Sequence, residues 1–353
     1  MGTLDGMTDL LALAGAVTRA PFTRARPRGP LPERRITRGP LAVDRRHLAS
    51  YARICGYAPT LDGTPEPGLP LTYPHVLGFP AAMRLMSRRD FPLPLLGLVH
   101  TWISITRHAP LTAADRPEIT VYAGELTPHR RGTEVTVVTE ARLAGALVWE
   151  SSSGYLARHA DAKRPPAGHT HPRPTSACAP EPHPTEAAGG GPTDPTPEAR
   201  GGGPTDPTPE ARGAGPTDPT PEARGAGPTD PTPRPTLHPD PLPPTADWHL
   251  PADLGRRYAA ASGDRNPIHL HPLTARAFGF PRTVAHGMWT LARCLAEQQA
   301  GARHDFVEAE FKSPVLLPGT VSYATDGAGR FELRTAGRLH LSGVTGETSA
   351  RSS

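Results

Sequence analysis

The chain has 353 residues, 46 prolines, 36 glycines and a net charge of +4. No apolar stretch approaches the roughly 20 residues that cross a bilayer. The three cysteines are too widely spaced for a disulfide framework or a cysteine zinc site. No zinc-finger, RNP-like or basic-helix pattern indicates nucleic-acid binding. We therefore expect a cytoplasmic protein with no membrane insertion and no nucleic-acid partner, since the apolar patch near the start follows acidic residues rather than the basic segment of a signal peptide.

The N-terminal part is predicted to be an extension of residues 1–33, followed by a folded half over residues 34–160. Apolar residues at helical spacing predict a helix over His75–Met86. Strand-like runs separated by turn residues follow it, over Leu98–Thr106, Glu118–Ala123, Glu134–Ala141 and Ala146–Tyr155. One helix and an antiparallel meander are therefore expected in this half.

A proline-rich linker is predicted over residues 161–247. This segment holds 24 of the 46 prolines and none of the Val, Ile, Phe, Met, Tyr or Trp residues, and the 12-residue unit GGGPTDPTPEAR, which begins at Gly189, recurs along it. Such a segment cannot bury enough apolar surface to offset its ordering entropy, so we expect it to be disordered. A spacer is typical of this composition; a partner-binding role for the repeat is the alternative.

Outside the linker the chain is basic, with an excess of roughly nine positive charges. Nearly all of its basic residues are arginine rather than lysine. Two interpretations stay open. One is a coding bias toward arginine, and the other is an anionic partner, such as a phosphate-bearing cofactor or an acidic carrier protein.

The C-terminal half is predicted over residues 248–345, with a tail of residues 346–353. Its first part is expected to contain a helix over Leu254–Ala261, a loop over Ser262–Pro267, a short helix over Thr274–Phe278 and a long buried helix over His286–Ala300. Its second part is expected to contain strands over Phe306–Phe311, Gly319–Tyr323, Arg330–Thr335 and Arg338–Gly343. Both halves thus follow one α+β plan.

The two halves also align with each other in sequence. The segment 51–57 lines up with Tyr258–Asp264, and the helix predicted after His75 lines up with the helix near His286. Tyr57 stands in the N-terminal half where the other half has Asp264. The chain therefore reads as a duplicated domain in which the C-terminal copy alone carries this carboxylate.

Acid–base chemistry is predicted for the loop that contains Asp264 and His269. Pro267 fixes its own φ and keeps the preceding residue out of the helical region, and Gly263 permits a tight approach to neighbouring backbone. A carboxylate and an imidazole held on such a stiff loop can share a water, which is a common acid–base arrangement. The free N–H groups at the start of the following long helix, near Gly287, can stabilise a developing oxyanion.

This loop resembles the hydratase-2 motif of the MaoC-like enoyl-thioester hydratases. Tyr258 is followed by a stretch of small residues and then by Ser-Gly-Asp-Arg-Asn-Pro-Ile-His, with Ala275 further on; Ala261 departs from the Leu, Val, Ile or Gly usual in the family. The segment AHGM at residues 285–288 is similar to the start of the family's helix. LTYPHVLGFP in the N-terminal half resembles the other half of double hot-dog dehydratases, such as the actinobacterial 3-hydroxyacyl-thioester dehydratases. The resemblance covers about residues 34–160 and 248–345.

The resemblance implies a double hot-dog fold and a hydro-lyase that reversibly hydrates trans-2-enoyl thioesters to (3R)-3-hydroxyacyl thioesters in fatty-acid or related acyl metabolism. Asp264 and His269 would activate water and deliver a proton, and the backbone N–H of Gly287 would hold the thioester oxygen. The residues implied to support the catalytic loop are Ser262, Gly263, Asn266 and Pro267. The N-terminal half would lend its helix and sheet to the acyl pocket.

No metal and no separate cofactor are expected, because CoA or phosphopantetheine is carried by the substrate. His269 and His271 alone do not make a metal site, since three or more converging ligands are needed. We interpret His75, His100 and His129 as structural. Acyl-CoA or an acyl carrier protein thioester is the expected partner, and a homodimer is left open. The alternatives are a hot-dog thioesterase and a non-catalytic acyl-binding subunit of a lipid or polyketide complex.

Overall fold

The computed structural model describes residues 30–58, 68–95, 97–159, 240–298 and 304–347. Most of the N-terminal extension, most of the predicted linker and most of the C-terminal tail lie outside these residues. Among the helices in the described ranges, none is long and apolar enough to cross a membrane.

Within the described residues, the N-terminal half contains two helices and five strands. In chain order these are β1 (Ile36–Arg38), α1 (Arg45–Cys55), α2 (Tyr73–Met86), β2 (Val99–Arg107), β3 (Glu118–His129), β4 (Gly132–Leu143) and β5 (Ala146–Arg158). Helix α2 is the long helix predicted from the sequence, and it packs against β3 and β4. Its apolar residues Val76, Ala81, Leu85 and Met86 are buried there.

The C-terminal half repeats this order with two additional short helices. Its elements are β6 (Pro244–Leu250), α3 (Leu254–Ser262), α4 (Pro267–Leu270), α5 (Pro272–Ala277), α6 (Gly287–Gln298), β7 (Phe306–Phe311), β8 (Gly319–Thr325), β9 (Arg330–Thr335) and β10 (Arg338–Gly346). Helix α6 is the predicted long helix, and it buries Leu291, Cys294 and Leu295.

Strand β6 corrects the predicted boundary between linker and C-terminal half. The linker was predicted to extend to residue 247, but Pro244–Asp247 form the first part of β6. Proline is tolerated there because it is the first residue of a strand at the edge of the sheet, where its missing N–H breaks no ladder. Trp248 and Leu250, which continue the strand, are buried in the core.

The ten strands found in the described part of the chain form one sheet, in the order β1-β3-β4-β5-β2-β7-β10-β9-β8-β6. The five N-terminal strands lie on one side and the five C-terminal strands on the other, each set in the corresponding order. The two sets meet at the antiparallel pair β2–β7, whose register runs from Trp102↔Glu310 to Thr106↔Phe306. This is the double hot-dog architecture: two copies, each an antiparallel sheet with a long helix, joined edge to edge.

The helices before the two long helices confirm the internal alignment. Helix α1 ends at Gly56 and α3 ends at Gly263, and both glycines adopt the left-handed conformation, with φ of 81° and 78°. Helix α1 contacts α3 and α6, and the rings of Tyr51 and Tyr258, which the alignment pairs, lie 6.1 Å apart.

Polar contacts add to the sheet contact between the halves. The Nε of Arg107 donates to Asp305 Oδ1 over 2.8 Å, and its Nη2 donates to the carbonyl of His304 over 2.9 Å. The indole of Trp289 donates to the carbonyl of Ile54 over 2.8 Å. Each half therefore provides hydrogen-bond partners for the other, and a separated half would leave these polar groups without their partners.

Candidate active site

Asp264 lies directly after α3, where the chain turns at Gly263. Its backbone N–H donates to Ser262 Oγ over 3.2 Å, and its Oδ1 accepts from the backbone N–H of Asn266 over 3.1 Å. The side chain is 30% exposed. The carboxylate is thus held by its own loop while it keeps contact with the cavity described below.

His269 lies on the four-residue helix α4. Pro267 occupies the first turn, and the Asn266 side chain caps the helix by accepting from the backbone N–H of Ile268 over 3.4 Å. The ring of His269 is buried, and its Nδ1 lies 2.6 Å from the carbonyl of Val284. A carbonyl only accepts hydrogen bonds, so Nδ1 carries the proton and Nε2 is the basic nitrogen. Burial lowers the pKa of His269, and the charge of Asp264 and the hydrogen bond to Val284 partly oppose this shift.

His286 is a member of the site that the sequence did not single out. Its ring stacks on that of His269, with centroids 3.6 Å apart. Its Nε2 donates to the backbone carbonyl of Asp264 over 3.0 Å and lies 3.9 Å from that residue's Oδ2. Burial lowers the pKa of His286 to about 3, so the ring is neutral. His286 therefore positions the two predicted catalytic residues relative to each other.

Asp264, His269 and His286 are also a cluster that could hold a metal ion, with ligand atoms within 4.8 Å of one another. A metal lies in the plane of each imidazole that binds it, at about 2.0–2.1 Å from the nitrogen. Rings stacked at 3.6 Å cannot both meet that condition for one ion, and each ring has already given one nitrogen to a carbonyl. The absence of a metal stays a prediction, and this geometry favours it.

Helix α6 begins at Gly287, one residue after the predicted start at His286, and Gly287 borders the same cavity. The first backbone N–H groups of a helix have no acceptor within the helix. A Cβ at Gly287 would lie 3.1 Å from the ring of Phe311, so glycine allows this ring to pack closely against the start of the helix. The N–H of Gly287 can therefore meet an oxygen that becomes negatively charged.

Both halves line the cavity, which has a volume of about 380 Å³. The C-terminal half supplies Asp264, His269 and Gly287. Apolar side chains from α2 and the segment after it line another part; these are Val76, Phe79, Met83, Met86, Leu95 and Leu98. A slender apolar chain with a polar reacting group fits such a lining.

The predicted site residues are otherwise distributed as follows. Ser262, Asn266 and Pro267 line the cavity together with Asp264 and His269, and Gly263 forms the turn that precedes them. His75, His100 and His129, interpreted as structural from the sequence, also line it. The rings of His75 and His100 lie 6.2 Å apart, and burial lowers their pKa values to about 4 and about 3. No spacing in the sequence connects these histidines to Asp264, because they come from the other half.

Comparison with known proteins gives a consistent picture. The family model described as MaoC like domain matches residues 231–336. The 3-hydroxyacyl-thioester dehydratase X of Mycobacterium tuberculosis is 30% identical over 336 residues, which cover 93% of this chain and 92% of that protein. The crystal structure of HtdX from M. tuberculosis has a TM-score of 0.60 at 26% identity and covers 88% of this chain and 99% of its own. A MaoC-like dehydratase from Phytophthora capsici shares the fold, with a TM-score of 0.59 at 15% identity over 91% of this chain and 97% of that one.

Proposed function

Because the chain belongs to the MaoC-like dehydratase family and is a hydro-lyase, we propose that it interconverts trans-2-enoyl thioesters and (3R)-3-hydroxyacyl thioesters by adding and removing water. The observation that carries this proposal is the convergence of Asp264, the basic Nε2 side of His269 and the N-terminus of α6 at Gly287 on one cavity. The stereochemistry follows from the family resemblance.

In the hydration direction, Nε2 of His269 takes a proton from water as the water oxygen bonds to C3 of the substrate. The electrons of the double bond move toward C2 and the thioester oxygen, which accepts a hydrogen bond from the N–H of Gly287. The proton then passes from His269 to C2, so that both parts of the water molecule end on the substrate. Asp264 orients the water by accepting a hydrogen bond from its second O–H, which stays on the oxygen, and stabilises the transient imidazolium.

His286 acts on this pair without touching the substrate in the proposed step. Its hydrogen bond to the carbonyl of Asp264 and its stack on His269 fix the distance between base and carboxylate. We propose that no metal or redox cofactor takes part, and that CoA or phosphopantetheine belongs to the substrate. A place in fatty-acid or related acyl metabolism and a cytoplasmic location are proposed from the sequence and the resemblance.

The test is turnover of a series of trans-2-enoyl-CoA substrates of increasing chain length, followed by loss of the conjugated-thioester absorbance and by an 18 Da gain in mass. Asp264→Asn and His269→Ala should each lower kcat by about 10²–10⁴, the usual contribution of acid–base catalysis. Asp253→Asn and His249→Ala are matched controls outside the cavity lining, and they should retain full activity.

Other outcomes identify the alternatives. Release of free thiol and a free 2-enoic acid, with no water added across the C2–C3 double bond, would indicate a thioesterase. Binding of the thioester with no turnover would indicate an acyl-binding subunit. Near-normal hydration by either folded active-site variant would remove the assigned roles from Asp264 and His269.

A further inference from the structure

His75 is a buried histidine of the N-terminal half that lines the catalytic cavity and is 7% exposed. Its Nδ1 is shielded from solvent and has no hydrogen-bond partner in the described part of the chain. Its Nε2 makes no hydrogen bond with the described residues either, and it is not shielded, so Nε2 is the ring nitrogen that the cavity reaches. The proposed hydration makes no use of this ring.

The unused nitrogens of His75 are unusual for a buried side chain. A neutral imidazole has one nitrogen that donates a hydrogen bond and one that accepts. Leaving such groups without partners destabilises a fold, and native proteins mostly avoid it. A few polar atoms in an otherwise apolar cavity are typical of ligand sites, where they fix the orientation of the ligand.

The internal duplication shows what differs at this position. The helix that contains His75 aligns with the helix at His286, and Nε2 of His286 donates to the backbone carbonyl of Asp264 over 3.0 Å. Tyr57 takes the place of Asp264 in the N-terminal half, and the described residues contain no corresponding bond to His75. His75 therefore matches His286 in position but does not share its hydrogen bond.

Helix α2 places His75 on the face that borders the cavity. His75, Phe79 and Met83 follow one another at four-residue spacing, which puts them on one side of a helix, and all three line the cavity. The ring of Phe79 lies 3.7 Å from the position that a Cβ would take at Gly263, the residue before Asp264. An acyl chain that extends from Asp264 along this face of α2 can therefore meet Nε2 of His75.

A wall of aromatic rings connects His75 with the start of α6. The ring of His100 lies 6.2 Å from that of His75, 4.7 Å from that of Tyr155 and 4.7 Å from that of Phe311. Phe311 in turn packs against the start of α6 at Gly287. His75 thus lies in the same cavity as the proposed oxyanion site, on the side that the N-terminal half provides.

The ligand expected at Nε2 of His75 is a neutral group that can both donate and accept a hydrogen bond. Burial lowers the pKa of His75 to about 4, so the ring offers no positive charge to an anion. The carboxylate of Asp264 lines the same cavity and would repel a second carboxylate. A hydroxyl group fits, because it can pair with Nε2 whichever ring nitrogen carries the proton.

We propose that His75 binds a hydroxyl group on the acyl chain, so that the protein prefers hydroxylated trans-2-enoyl thioesters over unsubstituted ones of the same length. The inference rests on the proposed function, since the acyl chain enters the cavity only as part of the thioester substrate. The N-terminal half accordingly selects the substrate by a hydrogen bond as well as by its apolar lining.

The test compares trans-2-decenoyl-CoA with derivatives that carry one hydroxyl group at successive carbons beyond C4. At the best position the wild type should show a kcat/KM about fivefold higher than for the unsubstituted chain, the usual effect of one neutral hydrogen bond. In His75→Phe this ratio should fall to one or below, because the hydroxyl group is then buried without a partner. His75→Gln, whose amide both donates and accepts, should retain a ratio above one.

His249→Phe is the matched control, an exposed histidine outside the lining of the catalytic cavity, and it should keep the wild-type ratio. If His75→Phe does not fold, His75→Leu gives the same comparison with a smaller side chain. No preference at any position, or a preference that survives in the folded Phe or Leu variant, would overturn the proposal. An equal loss on plain and hydroxylated chains would also overturn it, since His75 would then contact a part that all the substrates share.

A separate measurement distinguishes failure of the subsite from failure of the proposed function. If the wild type hydrates none of these thioesters, the proposed function fails. Calorimetric binding of the saturated plain and hydroxylated acyl-CoA series to the wild type and to His75→Phe then decides the subsite. Tighter binding of a hydroxylated chain by the wild type alone supports it, and equal binding of all chains overturns it.

Discussion

Replacing Gly255 with alanine should lower the activity of this protein about 10²-fold while leaving it folded. Gly255 is the second residue of α3, and a Cβ there would lie 2.1 Å from the carbonyl oxygen of His269. Cβ atoms in proteins stay at least 3.0 Å from such atoms, so the carbonyl has to move by about 1 Å. The obstacle is backbone, and it belongs to the short helix α4 that carries His269, the proposed base.

The size of the effect follows from this displacement. A shift of about 1 Å in a catalytic group can lower the rate by about 10²-fold, which corresponds to about 2.7 kcal/mol of lost transition-state stabilisation. Helix propensity alone gives the opposite expectation, since alanine in a helix interior is about 1 kcal/mol more favourable than glycine. The structure therefore predicts that activity falls even though the substitution favours the helix.

The assay measures kcat for enoyl-CoA hydration and Tm by calorimetry on the same preparation. Gly124→Ala is the matched control, because a Cβ at Gly124 would meet its neighbours at 3.5 Å, an ordinary contact. It should leave kcat within twofold of the wild type. Gly255→Ala with an unchanged kcat and a raised Tm would refute the argument that this glycine makes room for the catalytic helix.

Two further predictions concern stability and assembly. Burial lowers the pKa of His75 to about 4 and those of His100 and His286 to about 3, so these rings are neutral when folded and take up protons on unfolding below about pH 6.5. The free energy of unfolding, measured with urea, should therefore fall as the pH is lowered from 6.5 to 5, by up to about 1.4 kcal/mol per pH unit for each histidine. A free energy of unfolding that stays constant over this range would show that the rings are not buried. The halves, expressed separately as residues 1–160 and 240–353, should each be inactive, because the pair β2–β7 and the contacts of Arg107 and Trp289 are broken. Mixing them should restore weak activity, and full activity of the C-terminal piece as a monomer would contradict the shared cavity.

Much of the fold could be predicted from the sequence because its strands and helices are locally encoded. Strands β7 and β9 match their predicted bounds, since alternating apolar residues end there at turn residues. Strands β1 and β6 were missed. Both lie at the ends of the sheet, and β1 has three residues while β6 begins with proline, so their pairing depends on a distant partner strand rather than on their own pattern.

The candidate site could likewise be predicted only where its residues lie close together in the sequence. Asp264 and His269 share one short segment, so their types and spacing were enough to propose the chemistry. His286 was not singled out because its role comes from a ring stack and a contact to a backbone carbonyl 22 residues away. The cavity combines side chains of both halves, and sequence patterns carry no information on how the two halves meet.

The central ladder of the sheet also bears on how the chain folds. The contact from Arg107 to Asp305 beside that ladder joins positions 198 residues apart, whereas β3–β4 and β4–β5 are hairpins between neighbours. Contacts between residues far apart in the sequence form late, because the entropy of closing the long loop is lost before the contacts stabilise the chain. Each half should therefore assemble its own hairpins before the β2–β7 ladder forms. That entropy grows only with the logarithm of loop length. Gain or loss of one 12-residue repeat between the halves should therefore change stability by only about 0.1 kcal/mol, which leaves the number of repeats free to vary during evolution.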